Sequence, residues 1–175
     1  MSARPSRRTG PEEARAVMRA FLTDDEERAW HGLVEASKSL AQALDSRLLA
    51  EHRMPLSTIE ALIETAHAED GSIGVSDLAK RIRLSPSRTS RVAMELERKG
   101  LVERQRDTSD TRSTKVAATQ AGRDRLLEAA PVYLSTIRAQ LFDGLSERDV
   151  KQLAGILERM AASRREAAGP ATATQ

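Results

Sequence analysis

Cysteine is absent from the 175 residues, so the chain has no disulfide framework, no thiolate metal site and no thiol redox switch. Aromatic residues are scarce at 2%, with one Trp, one Tyr and two Phe, and any core must be aliphatic. No stretch approaches the ~18 consecutive apolar residues of a membrane helix. The opening MSARPSRRTGPEEARAVMRAFL lacks the uninterrupted apolar run of a signal peptide, which makes the cytoplasm the expected compartment and a membrane partner unexpected. A glycine-rich phosphate loop is missing, since Gly71-Ser72-Ile73-Gly74 reads as a turn between helices. None of the histidines His31, His52 and His67 has a second ligand at metal-binding spacing, and no nucleophile-elbow pattern occurs. These absences argue against an enzyme, and no cofactor or metal is expected.

What the chain does have is an apolar fraction of 39%, enough for one helical domain, and charge that is unevenly placed. The formal net charge is only +2. From Arg81 to Lys115, however, 10 Lys/Arg stand against 5 Asp/Glu, a net of +5, whereas Asp24 to Lys80 holds 5 against 12, a net of −7. A charge run alone is most often a solvated face. Here it overlaps the segment with the clearest local signals, Val75 to Thr119.

In that segment Ser76 is placed to cap a short helix whose apolar positions Val75, Leu78, Ala79 and Ile82 follow the 3.6-residue period. Ser85-Pro86 starts a second helix, with serine as N-cap and proline where its missing N–H costs nothing. Gly100 ends it. Thr89, Val92, Ala93 and Leu96 mark one face of this helix, and Arg88, Arg91, Glu95 and Arg98 mark the opposite one. Beyond Gly100 the period changes. Leu101-Val102 through Arg106 and Lys115 through Ala118 read as two short strands, joined by the polar run 107–113. The hairpin carries Arg104, Arg106, Arg112 and Lys115.

A helix presented by a turn enters a DNA major groove, and a basic hairpin beside it reaches the backbone or minor groove. The candidate DNA-contacting residues on the helix are Ser85, Pro86, Ser87, Arg88, Thr89, Ser90, Arg91 and Arg98; those on the hairpin are Arg106, Arg112, Ser113 and Lys115. Arg112, at the hairpin's far end, is the candidate for the minor groove. Arg88 and Arg91 are of the type that pairs with guanine or binds phosphate. The alternative is a winged helix that binds protein without specific DNA contacts. The concentration of arginines argues against it, and salt-sensitive DNA binding separates the two.

The flanks read as amphipathic helices. One runs from Asp25 to about His52, with Trp30, Leu33, Val34, Leu40, Ala41, Leu44 and Leu48 as its apolar stripe and acidic residues at its start. Ser57-x-x-Glu60 reads as a capping box for the next helix. Thr119 is placed to cap a long helix through Asp143, which Pro131 is expected to kink or break. Ser146-x-x-Asp149 resembles another capping box, opening a helix to about Arg165. Together these faces exceed what one small lobe buries, which points to a dimer. Residues 1–23 are expected to form a basic tail with a short helix from Glu12 to Leu22, and 167–175 a disordered tail.

The stretch Leu96, Glu97, Lys99, Gly100, Leu101, Val102, Arg104, followed by Asp107, Asp110, Arg112 and then Thr119 and Gly122, resembles the MarR (multiple antibiotic resistance regulator) family of bacterial transcription factors. The likeness extends from about Asp24 to Arg165. One departure is Ala117-Ala118, where the family more often has a bulkier apolar residue. The resemblance implies a mainly α fold, a winged helix-turn-helix lobe at about 55–119 with a two-stranded wing, and dimerisation helices at about 24–53 and 120–166. It implies a homodimer on double-stranded DNA at a pseudo-palindromic site, usually as a repressor, with a small-molecule pocket between the two parts. Trp30, His31, Ser37, His52, Ile59 and Ile63 are the candidate lining for a small aromatic or anionic effector. A tryptophan at helical spacing with Leu33 and Val34 is more often core or dimer interface.

Overall fold

A computed structural model of the chain describes residues 20–106 and 114–167, with Arg106 and Ala167 described by backbone alone. In chain order the elements are α1 (Asp24–His52), α2 (Leu56–Ala66), β1 (Ile73–Gly74), α3 (Val75–Arg81), α4 (Pro86–Arg98), β2 (Val102–Arg106), β3 (Thr114–Ala118), α5 (Gln120–Ile137), a π-helical turn (Arg138–Phe142) and α6 (Glu147–Ala167). The described residues fall into two compact units, 20–39 and those from Leu40 onward, with the division inside α1.

In the first unit the start of α1 is a capping box absent from the sequence reading. The Thr23 N–H donates to the Glu26 carboxylate at 2.7 Å, and the Glu26 N–H donates back to Thr23 Oγ1 at 3.3 Å. None of the described side chains in this unit is buried, and Trp30 and Leu33 are 54% and 46% exposed.

The second unit holds the core. Leu48 from α1, Ile59 and Leu62 from α2, Leu78 from α3, Ala93 and Leu96 from α4, and Val102 and Val116 from the hairpin pack into one aliphatic cluster. The hairpin strands pair antiparallel with Arg104 opposite Val116. Ile73 and Gly74, expected as part of a turn, instead add a third strand to the outer side of β3, with Ile73 opposite Val116. Two residues are too few to leave an alternating pattern, so the strand is invisible until its partner is placed.

Two predicted caps are corrected. α2 begins at Leu56, one residue before Ser57, and its first N–H is taken by Asp45 Oδ1 of α1 at 2.8 Å, so Ser57 lies inside the helix. α3 begins at Val75 with Gly74 as its N-cap, which places Ser76 inside the first turn. By contrast, Thr119 Oγ1 accepts the Gly122 N–H at 3.0 Å as expected, and Ser146 and Asp149 form the expected reciprocal box at 3.0 and 3.3 Å.

α5 continues through Pro131, and its irregularity comes later, in the π turn. Arg47 of α1 ties α5 down through Thr136 Oγ1 at 3.0 Å, and Arg125 of α5 donates to the His52 carbonyl. α6 buries none of its described side chains.

Candidate nucleic-acid interface

The interface is built around α4, and the turn before it sets its angle. Ile82 donates to the Leu78 carbonyl at 2.9 Å and Leu84 to the Ala79 carbonyl at 3.1 Å, closing α3. Between them Arg83 takes a left-handed conformation, φ +54, which turns the chain sharply into Ser85. Ser85 caps α4, its Oγ accepting from the Arg88 N–H at 3.4 Å, and Pro86 occupies the first helical position. At the other end Gly100 (φ +69) donates to Glu97 at 2.8 Å and Leu101 to Leu96 at 2.9 Å, the two bonds of a Schellman motif. Both ends of the helix are therefore fixed by side chains or residues that the sequence displays.

The inward face of α4 is Thr89, Val92, Ala93 and Leu96, as expected. The outward face carries Ser87, Arg88, Arg91, Met94 and Arg98, all exposed. Neighbouring charges are already matched. Lys99 pairs with Glu95 at 2.7 Å, a hydrogen bond that holds the Glu95 carboxyl below its ordinary range. Arg104 of β2 pairs with Glu97 at 3.2 Å and clasps the wing to α4. Among the described residues Arg88, Arg91 and Arg98 form no ion pair, although the charge of Arg98 also helps to lower the Glu95 carboxyl, so the helix face presents three exposed positive charges. Arg88 and Arg91 also border an open cleft of about 210 Å³ against Ser57 of α2.

The remaining candidates fall in different places. Ser85, Pro86 and Ser87 are exposed at the start of α4, and Ser90 is half-buried. Thr89 is fully buried and returns its hydroxyl to the Ser85 carbonyl at 3.1 Å, so its side chain supports the helix from the core side rather than reaching DNA. Lys115 is half-buried on β3 opposite Gln105. Arg106 ends β2, and Arg112 and Ser113 lie outside the described residues. Met94, 47% exposed beside the arginine face, belongs to neither of the two faces read from the sequence.

The candidate effector residues divide between the two units. Trp30, His31 and Ser37 are exposed in the first, with His31 3.6 Å from Glu27 and the Ser37 hydroxyl donating to Val34 at 2.9 Å. In the second, Ile59 is wholly buried in the core, and His52 Nε2 is buried without a hydrogen-bond partner among the described residues. Ile63 borders a cleft of about 270 Å³ with Glu60, Glu64, Arg81, Arg83 and Tyr133. There, burial first and then the neighbouring Glu64 push the Glu60 carboxyl above its ordinary range. Burial, and then Glu60, raises the Tyr133 hydroxyl. The described residues contain no grouping of three or more metal-ligating side chains, and no described helix is long and apolar enough to cross a membrane.

A capped helix with an exposed arginine face, clasped to a hairpin that a third strand extends, defines a DNA-binding winged helix-turn-helix. Comparison with known proteins makes the class specific. The family model described as MarR family matches residues 67–114. YwhA of Bacillus subtilis, an HTH-type transcriptional regulator, is 30% identical over 118 residues, covering 67% of this chain and 78% of YwhA. Sco3205, a MarR family transcriptional regulator from Streptomyces coelicolor solved in complex with DNA, superposes with a TM-score of 0.73 at 28% identity, covering 86% of this chain and 92% of that one. CouR from Rhodococcus jostii, solved with p-coumaroyl-CoA bound, superposes with a TM-score of 0.61 at 25% identity, covering 74% and 88%. The chain belongs to the MarR family of transcriptional regulators.

Proposed function

We propose that the protein is a homodimeric, effector-responsive repressor that binds a pseudo-palindromic operator in the cytoplasm, at the nucleoid. The observation that carries the reading is the outward face of α4, where Arg88, Arg91 and Arg98 are exposed and, among the described residues, form no ion pair, although their neighbours Lys99 and Arg104 do. Unmatched cations on a helix presented by a turn are suited to phosphates and guanine edges. Two lobes related by a two-fold axis place their α4 helices in successive major grooves, ~34 Å apart. An effector then acts by favouring a lobe spacing that does not match that interval. CouR, solved with an aromatic and anionic thioester, supports that chemistry for the effector.

The test is fluorescence anisotropy of the purified protein with DNA from upstream of its own gene, at two salt concentrations and with scrambled competitor, followed by selection from randomised DNA. Salt-sensitive binding that resists competitor is expected. Arg88→Ala or Arg91→Ala is expected to cost ~1–3 kcal/mol and relax base preference wherever that side chain reads a base. Arg112→Ala is expected to weaken binding to all sequences alike, with the salt dependence reduced by about one contact. Absence of binding after selection would move the protein to the protein-interaction class of winged helices.

A further inference from the structure

Met94 is out of place by the rule that built the rest of α4. The inward face is fully accounted for by Thr89, Val92, Ala93 and Leu96, and Met94 lies about half a turn away, 47% exposed. Successive residues of a helix are separated by about 100°, so Met94 falls about 20° from Ser87, 40° from Arg98 and 60° from Arg91, on the edge of the outward face, three residues after Arg91 and four before Arg98. Every other exposed side chain on that line is polar or cationic. Among the described residues, no core cluster includes Met94.

The major-groove edges of the bases offer hydrogen-bond donors and acceptors and a single apolar feature, the C5 methyl of thymine. Arginine and serine answer the first kind of feature. An unbranched, flexible thioether beside them answers the second, because it can follow a methyl group without demanding one rotamer. We infer that Met94 is a specificity-determining residue that reads a thymine methyl in each half-site through apolar contact. The inference rests on the DNA-binding reading above and deepens it: the operator carries a thymine at the same place in both halves, flanked by the positions that Arg91 and Arg98 reach.

The test removes the methyl and nothing else. In an operator obtained by selection, each thymine is replaced in turn by deoxyuridine, symmetrically in both half-sites, and affinity is measured for wild type, Met94→Ala and Met94→Leu. Wild type is expected to lose about fourfold per half-site at one thymine, the worth of one buried methyl group. Met94→Ala is expected to bind the thymine and deoxyuridine operators equally, and Met94→Leu to retain the discrimination in part. Met94 is exposed, so these substitutions leave the lobe folded, which circular dichroism checks. Specific, salt-sensitive binding in which no thymine separates wild type from Met94→Ala overturns the inference while leaving the DNA-binding reading intact. Failure to select any operator overturns both.

Discussion

Gly122 shows how a single residue can be constrained by what passes beside it. A Cβ at this position would lie 2.0 Å from the Leu101 carbonyl oxygen, which itself accepts the Thr119 N–H at 3.1 Å. The start of α5 thus rests directly on the backbone that leaves α4, and no side-chain movement can make room. Gly122→Ala is expected to destabilise the lobe by at least about 2–3 kcal/mol, read as a fall in the urea midpoint, with loss of DNA binding following loss of fold. Glu60 is constrained by its surroundings in a different way. In its cleft it faces Glu64, Arg81, Arg83 and Tyr133, and Arg81 is already engaged by Glu64 at 3.2 Å. A carboxyl raised above its ordinary 4.5 takes up a proton more readily folded than unfolded. Its contribution to stability is therefore full at low pH and lost as pH rises through the folded value. Glu60→Gln is expected to melt higher than wild type at pH 7, with the difference closing as pH falls through the raised folded value towards 4.5; a difference unchanged between pH 7 and 4.5 would show that ionisation of Glu60 is not the cause.

At the scale of elements, legibility depended on whether the stabilising partner was local. Ser85, Gly100, Thr119 and the Ser146–Asp149 box are satisfied within a few residues of themselves, and all were read correctly from spacing. The start of α2 was misread because its cap comes from another helix. Ser57-x-x-Glu60 has the composition of a capping box, but the Leu56 N–H is taken by Asp45, eleven residues back. The strand Ile73–Gly74 was missed for a similar reason, since only β3 makes it a strand. The arginines of α4 are legible as a helical face, but the ion pair of the hairpin's Arg104 is not, because only the placement of Glu97 against β2 forms it. The α2 correction has a direct test. Asp45→Ala is expected to cost about 1 kcal/mol, the usual worth of an N-terminal cap, with Asp45→Asn retaining most of it and Ser57→Ala having little effect on thermal stability. A larger loss for Ser57→Ala than for Asp45→Ala would restore the capping box.

For the whole molecule, the distribution of uncovered apolar surface makes the case for a second copy. Among the described residues the buried apolar cluster runs from Leu44 to Ala129, while Leu127 and Leu134 of α5 are 71% and 61% exposed and Ile156, Leu157 and Met160 of α6 are each more than 40% exposed. Leu127 and Leu134 are seven residues apart, two turns along one helix face. Apolar residues scattered singly need no explanation, but rows of them on helices with few or no buried side chains do. A two-fold partner covering these rows would also deliver the second α4 that a pseudo-palindromic site requires. The wild type is therefore expected to sediment at twice the 19.2 kDa chain mass, and the Leu127→Glu, Leu134→Glu double variant as a monomer with an unchanged far-ultraviolet spectrum. Because both leucines are exposed, the substitutions remove the partner without opening the core. Operator affinity should then fall by at least about 100-fold, since each half-site is bound without the effective concentration that the second lobe supplies. A double variant that remains dimeric would place the interface on other surfaces, whereas a monomer retaining full affinity would mean that a single lobe is the recognition unit.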